Sequence, residues 1–224
     1  MIIETKGNYF VAALEGARLS EKDRADLLAL GNEDLEEEIL EMMDQANTLA
    51  RPTALFCVSP VAADGSINGV FTGSALVRER LSGRSRCFPY IASCGTALEE
   101  WSRQYRGDFL LEFWADEIKK RFLLQGFRAW SAYIREHYRT TGHVAALNPG
   151  SLPGWPISGQ AELFRILGGR EFVEEAIGVT YSDTFLMLPS KTISGICFES
   201  EVFYENCQYC PLTDCPNRRA PQIK

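Results

Sequence analysis

The sequence predicts a mixed α+β domain, and three observations predict it. Short apolar, β-branched runs alternate with amphipathic helical periods through the middle of the 224-residue chain. One helical period, from about Asp108 to Tyr138, is far longer than the others. Near the end, Val179 to Leu188 and Thr192 to Phe198 follow one another as strand-like runs joined by Pro189-Ser190-Lys191, the pattern of an antiparallel hairpin.

Taken in order, the first thirty residues carry no clean period, mixing Tyr9 to Leu14 with a polar run from Glu21 to Arg24. From Glu33 to Ala50, Leu35, Ile39, Met42, Met43, Ala46 and Leu49 recur at three and four, which predicts a helix whose acidic face is solvated. Thr53 to Val58 reads as a buried strand and Ile67 to Phe71 as another. Thr72 is expected to cap a short helix. Cys87 to Ala92 returns to strand character, and a Thr96-capped helix follows with Glu99 at the capping-box position. In the long helix, Phe109, Phe113, Trp114, Ile118, Phe122, Phe127, Trp130, Tyr133 and Ile134 share a broad face, which predicts core packing and a kink near Gly126. Asn148 to Pro156 holds three prolines and two glycines and reads as a shaped loop. Ser158 is then expected to cap a helix that stops at Gly168-Gly169, before a short helix from Glu171 to Ile177.

Composition narrows the function. The chain is 46% hydrophobic and 24% charged, as a folded globular protein is, with a formal net charge of −7. No Lys/Arg run supplies the electrostatic footprint of nucleic-acid binding. No eighteen-residue apolar stretch and no signal-peptide start appear, so the expected setting is the cytoplasm, without a membrane anchor. The two histidines, His137 and His143, leave little room for a histidine metal site, and Cys94 reads as a small core thiol rather than a nucleophile.

Four of the seven cysteines crowd the last 28 residues with the spacing Cys197-x9-Cys207-x2-Cys210-x4-Cys215. In a reducing compartment such crowding favours metal over disulfide, and four thiolates can hold a tetrahedral zinc or a 4Fe–4S cubane. Only one C-x2-C occurs, so the paired knuckles of structural zinc are missing. The expected organisation is a domain over 1–196 and a metal-binding segment over 197–224.

From Leu152 onward the chain resembles a family. Leu-Pro-Gly-Trp-Pro at 152–156, Glu162-Leu163-Phe164, Leu167-Gly168, Ile177-Gly178-Val179-Thr180 and Met187 to Gly195 are similar, in order and spacing, to the activation domain of cobalamin-dependent methionine synthase. The resemblance covers about fifty residues, Asn148 to Phe198. It implies a twisted antiparallel sheet with flanking helices, one of them long, and an S-adenosylmethionine loop of the pattern Arg-x-x-x-Gly-Tyr-Pro. Here that loop falls on Pro153, Gly154, Trp155 and Pro156, with Gly150 at the arginine position. The implied partner is a corrinoid-binding protein or cobalamin-dependent methyltransferase, and cobalamin is met only through it. With the terminal cysteines, the reading extends to a reactivation or electron-transfer protein that takes Co(II) to Co(I) through an iron–sulfur cluster. Its alternatives are a zinc-stabilised docking module without redox chemistry and a detached S-adenosylmethionine-dependent activation subunit.

Overall fold

The computed structural model describes residues 1–30, 35–138, 142–152, 154–201, 204, 206–210, 212–215, 218 and 220–222. Its strands are β1 (Ile2–Lys6), β2 (Tyr9–Ala13), β3 (Thr53–Phe56), β4 (Ser59–Pro60), β5 (Arg86–Ser93), β6 (His143–Leu147), β7 (Thr180–Tyr181), β8 (Met187–Leu188) and β9 (Thr192–Ser200). Its helices are α1 (Glu21–Leu28), α2 (Glu36–Leu49), α3 (Ala75–Leu81), α4 (Thr96–Ser102), α5 (Phe109–His137), α6 (Gln160–Ile166) and α7 (Arg170–Ile177).

One antiparallel sheet organises them, in the order β1-β2-β3-β5-β9-β6, with β4 also paired to β5. Side chains of a strand alternate between faces, and both faces here are apolar. Ala54 and Phe56 of β3 and Phe88, Tyr90 and Ala92 of β5 join a core with α1, α2, α4 and α5. Leu55 and Cys57, then Cys87 and Ile91, join a second core with α3, α6 and α7. The sheet is thus sandwiched, and the anchors Trp114, Ile118, Phe122 and Trp130 of α5 are fully buried, each worth about 1.5–3 kcal/mol of apolar transfer.

Local chemistry explains several departures from expectation. The opening residues form a β-hairpin and a capped helix. Gly7 at φ 63 turns β1 into β2, and the Ser20 hydroxyl and Asp23 carboxylate cap α1 reciprocally. Ile67 to Phe71 is not a strand: Asn68 and Gly69 take φ 49 and 74, and Ile67 pairs with Val70 across the tight Asn-Gly turn. Ser74, not Thr72, caps α3 by accepting from the Val77 N–H. Thr96 and Ser158 do not cap either, since Gly95 and Gly159 hold those positions without a side-chain bond.

The predicted terminal hairpin is also corrected. The run 179–188 reverses on itself through Ser182–Leu186, with Phe185 at φ 63, so β7 pairs with β8 in a separate two-stranded sheet. β9 pairs instead with β5 and β6. The long helix is unbroken through Gly126, where a Cβ would lie 2.5 Å from that of Pro52, so glycine serves close packing there. Phe109 and Phe113, expected in the core, are 87% and 46% exposed.

Candidate functional site

The loop after β6 is held from both ends. The Asn148 amide donates to the Tyr90 hydroxyl at 2.9 Å and to the Ser194 carbonyl at 2.7 Å, fastening the loop to the two central strands. Gly150 N–H bonds the Trp155 carbonyl at 2.8 Å and Trp155 N–H bonds that of Leu152 at 3.1 Å, closing the turn on itself. The Ser74 hydroxyl donates to the Gly154 carbonyl at 2.7 Å, which ties the turn to the start of α3.

The predicted loop residues divide by role. Trp155 is buried in the α3–α6–α7 core, its indole nitrogen so near Gly159 that a Cβ there would lie 2.2 Å away. It anchors the loop. Gly154 and Pro156 are exposed and form the presented edge, while Pro153 lies outside the described residues. Gly150 sits at φ 79 with a would-be Cβ 3.2 Å from that of Ile157. Left-handed backbone disfavours a residue with a Cβ here, so the shape of this loop works against the arginine of the family pattern.

Next to the same strands, the Pro189–Lys191 connection covers a buried ion pair that the sequence did not reveal. Lys119 Nζ donates to Glu99 Oε2 at 3.1 Å and to the Ser102 and Ser190 hydroxyls at 3.0 and 3.1 Å. Burial works against the Glu99 carboxylate, but hydrogen bonds from Lys119 and Ser190 outweigh it and hold its pKa below the ordinary value. Lys191 bridges to Asp116 at 2.7 Å, pinning the connection to α5.

The four cysteines do not form one ligand set. On β9, Ile196 and Phe198 face the α6–α7 core, so Cys197 faces the opposite side, beside its cross-strand partner Phe88. Burial, then the neighbouring Cys87, pushes its thiol well above the ordinary value. The chain beyond β9 returns on the other face: Tyr204 packs on Phe198 and Tyr209, and the Arg80 guanidinium lies over both tyrosine rings at 5.4 and 5.5 Å. Tyr204 thus lies on the face opposite Cys197. Among the described residues no group of three or more Cys, His, Asp or Glu side chains is placed to hold a metal ion. What organises the segment is Arg218, whose guanidinium donates to the carbonyls of Cys207 (2.5 Å), Cys210 (3.0 Å), Leu212 (2.6 Å), Thr213 (3.2 Å) and Ala220 (3.0 Å). Cys-x-x-Cys spacing gave no hint of this hub.

No protein-family model and no curated protein matches this chain. Among solved structures it is similar to one described as the MetH reactivation domain bound to AdoHcy, with a TM-score of 0.56 and 14% identity. The likeness covers 88% of this chain and 81% of that one. No described helix is long and apolar enough to cross a membrane. A mixed α+β domain with a central antiparallel sheet, flanking helices and one long helix, the chain has the fold of the MetH reactivation domain.

Proposed function

We propose that this chain is a reactivation module for a corrinoid-dependent methyltransferase, meeting cobalamin only through that partner. The observation supporting it is the likeness, across nearly the whole chain, to a reactivation domain that binds AdoHcy. An adenosyl ligand of that kind, S-adenosylmethionine included, would lie along the exposed edge Gly154–Pro156. The fastened Asn148 amide and the Ser74 bond support a rigid edge that offers backbone groups at little entropic cost. With Gly150 in place of arginine, the ligand's carboxylate receives no guanidinium fork from this loop. Titration calorimetry with AdoHcy and S-adenosylmethionine tests the ligand part. Saturable binding that weakens in Pro156→Ala is expected, and no heat at millimolar ligand contradicts it.

A second reading gives the cysteine segment a metal. Cys207, Cys210 and Cys215 are the thiols outside the buried core, which favours them as ligands, whereas Cys197 does not fit with them. Anaerobic purification with metal analysis separates the outcomes. About four irons per chain and a visible band bleached by dithionite support an iron–sulfur donor. Stoichiometric zinc without a band supports the docking module, and neither metal leaves the segment as a structural wrap around Arg218.

A further inference from the structure

Cys207 and Cys210 form the chain's single Cys-x-x-Cys pair. With Cys215 they are partly exposed, whereas Cys57, Cys87, Cys94 and Cys197 are buried. Cys207 lies in a 3₁₀ turn, Asn206–Gln208, which the Tyr209 N–H closes on the Asn206 carbonyl at 3.0 Å. A single side chain then grips the curl. Arg218 Nη1 donates to the Cys207 carbonyl at 2.5 Å and Nη2 to the Cys210 carbonyl at 3.0 Å, so one planar fork holds both cysteine backbones. Cys215 is reached through the main chain, its carbonyl accepting from the Arg218 N–H at 3.0 Å. For two cysteines three residues apart, such a curl favours the Cα separation of about 4.4–6.8 Å that a disulfide spans.

We propose that Cys207 and Cys210 are a thiol–disulfide exchange site whose co-reactant is a low-molecular-weight disulfide. One cysteine sulfur attacks that disulfide and expels one small thiol, giving a mixed disulfide. The second cysteine sulfur then attacks the protein sulfur and expels the other small thiol. A Cys207–Cys210 bond forms, the small disulfide is cleaved, and both protons and both electrons leave on the two small thiols. The exchange requires metal-free thiols, so it competes with the metal reading of the segment and is independent of the adenosyl loop.

Glutathione disulfide is the probe. The full chain, purified anaerobically and assayed for iron and zinc, is equilibrated in mixed glutathione buffers, trapped with iodoacetamide and peptide-mapped without reduction. A single Cys207–Cys210 bond, with Cys215 alkylated and the four buried cysteines unlabelled, is the expected result. Cys215→Ser is expected to keep that bond, and Arg218→Ala to lower the closed-to-open ratio about tenfold by loosening the pair. Glutathione adducts without an internal bond overturn the proposal, as do bonds spread over all three thiols or a ratio unchanged in Arg218→Ala. Iron or zinc that holds these thiols against glutathione until a chelator is added overturns it as well, and leaves the corrinoid reading untouched.

Discussion

The Asn206 side chain donates to Asn148 Oδ1 at 2.6 Å, so the amide that fastens the ligand loop also receives the C-terminal segment. One side chain therefore joins β5, β9, the loop and the cysteine segment. Asn148→Ala deletes all three bonds in a partly buried place and is expected to cost about 2 kcal/mol in urea unfolding. Asn206→Ala is expected to leave global unfolding nearly unchanged while speeding protease cleavage after Ser200, since it frees only the segment.

Restoring the family's arginine is expected to fail. Gly150→Arg places a Cβ at φ 79 and 3.2 Å from the Ile157 Cβ, a strain of about 1–2 kcal/mol from the backbone alone. A lowered Tm with no gain in AdoHcy affinity is the predicted pair of results, read by thermal shift and calorimetry.

The ion pair beneath Ser190 gives a pH dependence of definite sign. The folded Glu99 pKa lies below its ordinary value, so its contribution is fully present above the unfolded pKa and is lost as pH falls through the folded one. Stability is thus expected to decline below about pH 4.5 in part through this group. Glu99→Gln flattens that limb and, by leaving the buried Lys119 ammonium without its counter-charge, costs about 3 kcal/mol at neutral pH. Unfolding series from pH 3 to 7 on both proteins, in roughly half-unit steps, check the difference.

Thiol labelling separates the two cysteine populations. Cys57, Cys87, Cys94 and Cys197 are buried, and burial pushes Cys57 up to about 11 and Cys94 to about 12. Under native, metal-free conditions Cys207, Cys210 and Cys215 are expected to react with an aromatic disulfide and the other four only after denaturation. Fast labelling of Cys197 contradicts its placement in the α5 core.

Much of this fold was legible where period and burial agree. The α2 stripe Ile39, Met42, Met43 and Ala46 is buried as its spacing required, and β3 and β5 occupy their apolar runs. Failures came where a local turn outweighed an apolar run, as at Asn68-Gly69 and at Phe185. β6 was missed because His143-Val-Ala-Ala-Leu147 has little β-branched content and owes its state to pairing with β9. The candidate loop was located from sequence, but the inward turn of Trp155 depends on Gly159, a tertiary contact. Cys197 was grouped with the later cysteines by spacing, whereas strand alternation assigns its side chain to the face opposite Tyr204.

The central claim is tested most directly by anaerobic reactivation. The corrinoid-binding module of a cobalamin-dependent methionine synthase, poised as cob(II)alamin, is mixed with a one-electron reductant, S-adenosylmethionine and this chain, and the cobalt absorption is followed. The account predicts that the chain accelerates conversion to methylcobalamin and that Pro156→Ala slows it. Equal rates with and without the chain, together with no detectable complex between the two proteins, would contradict it.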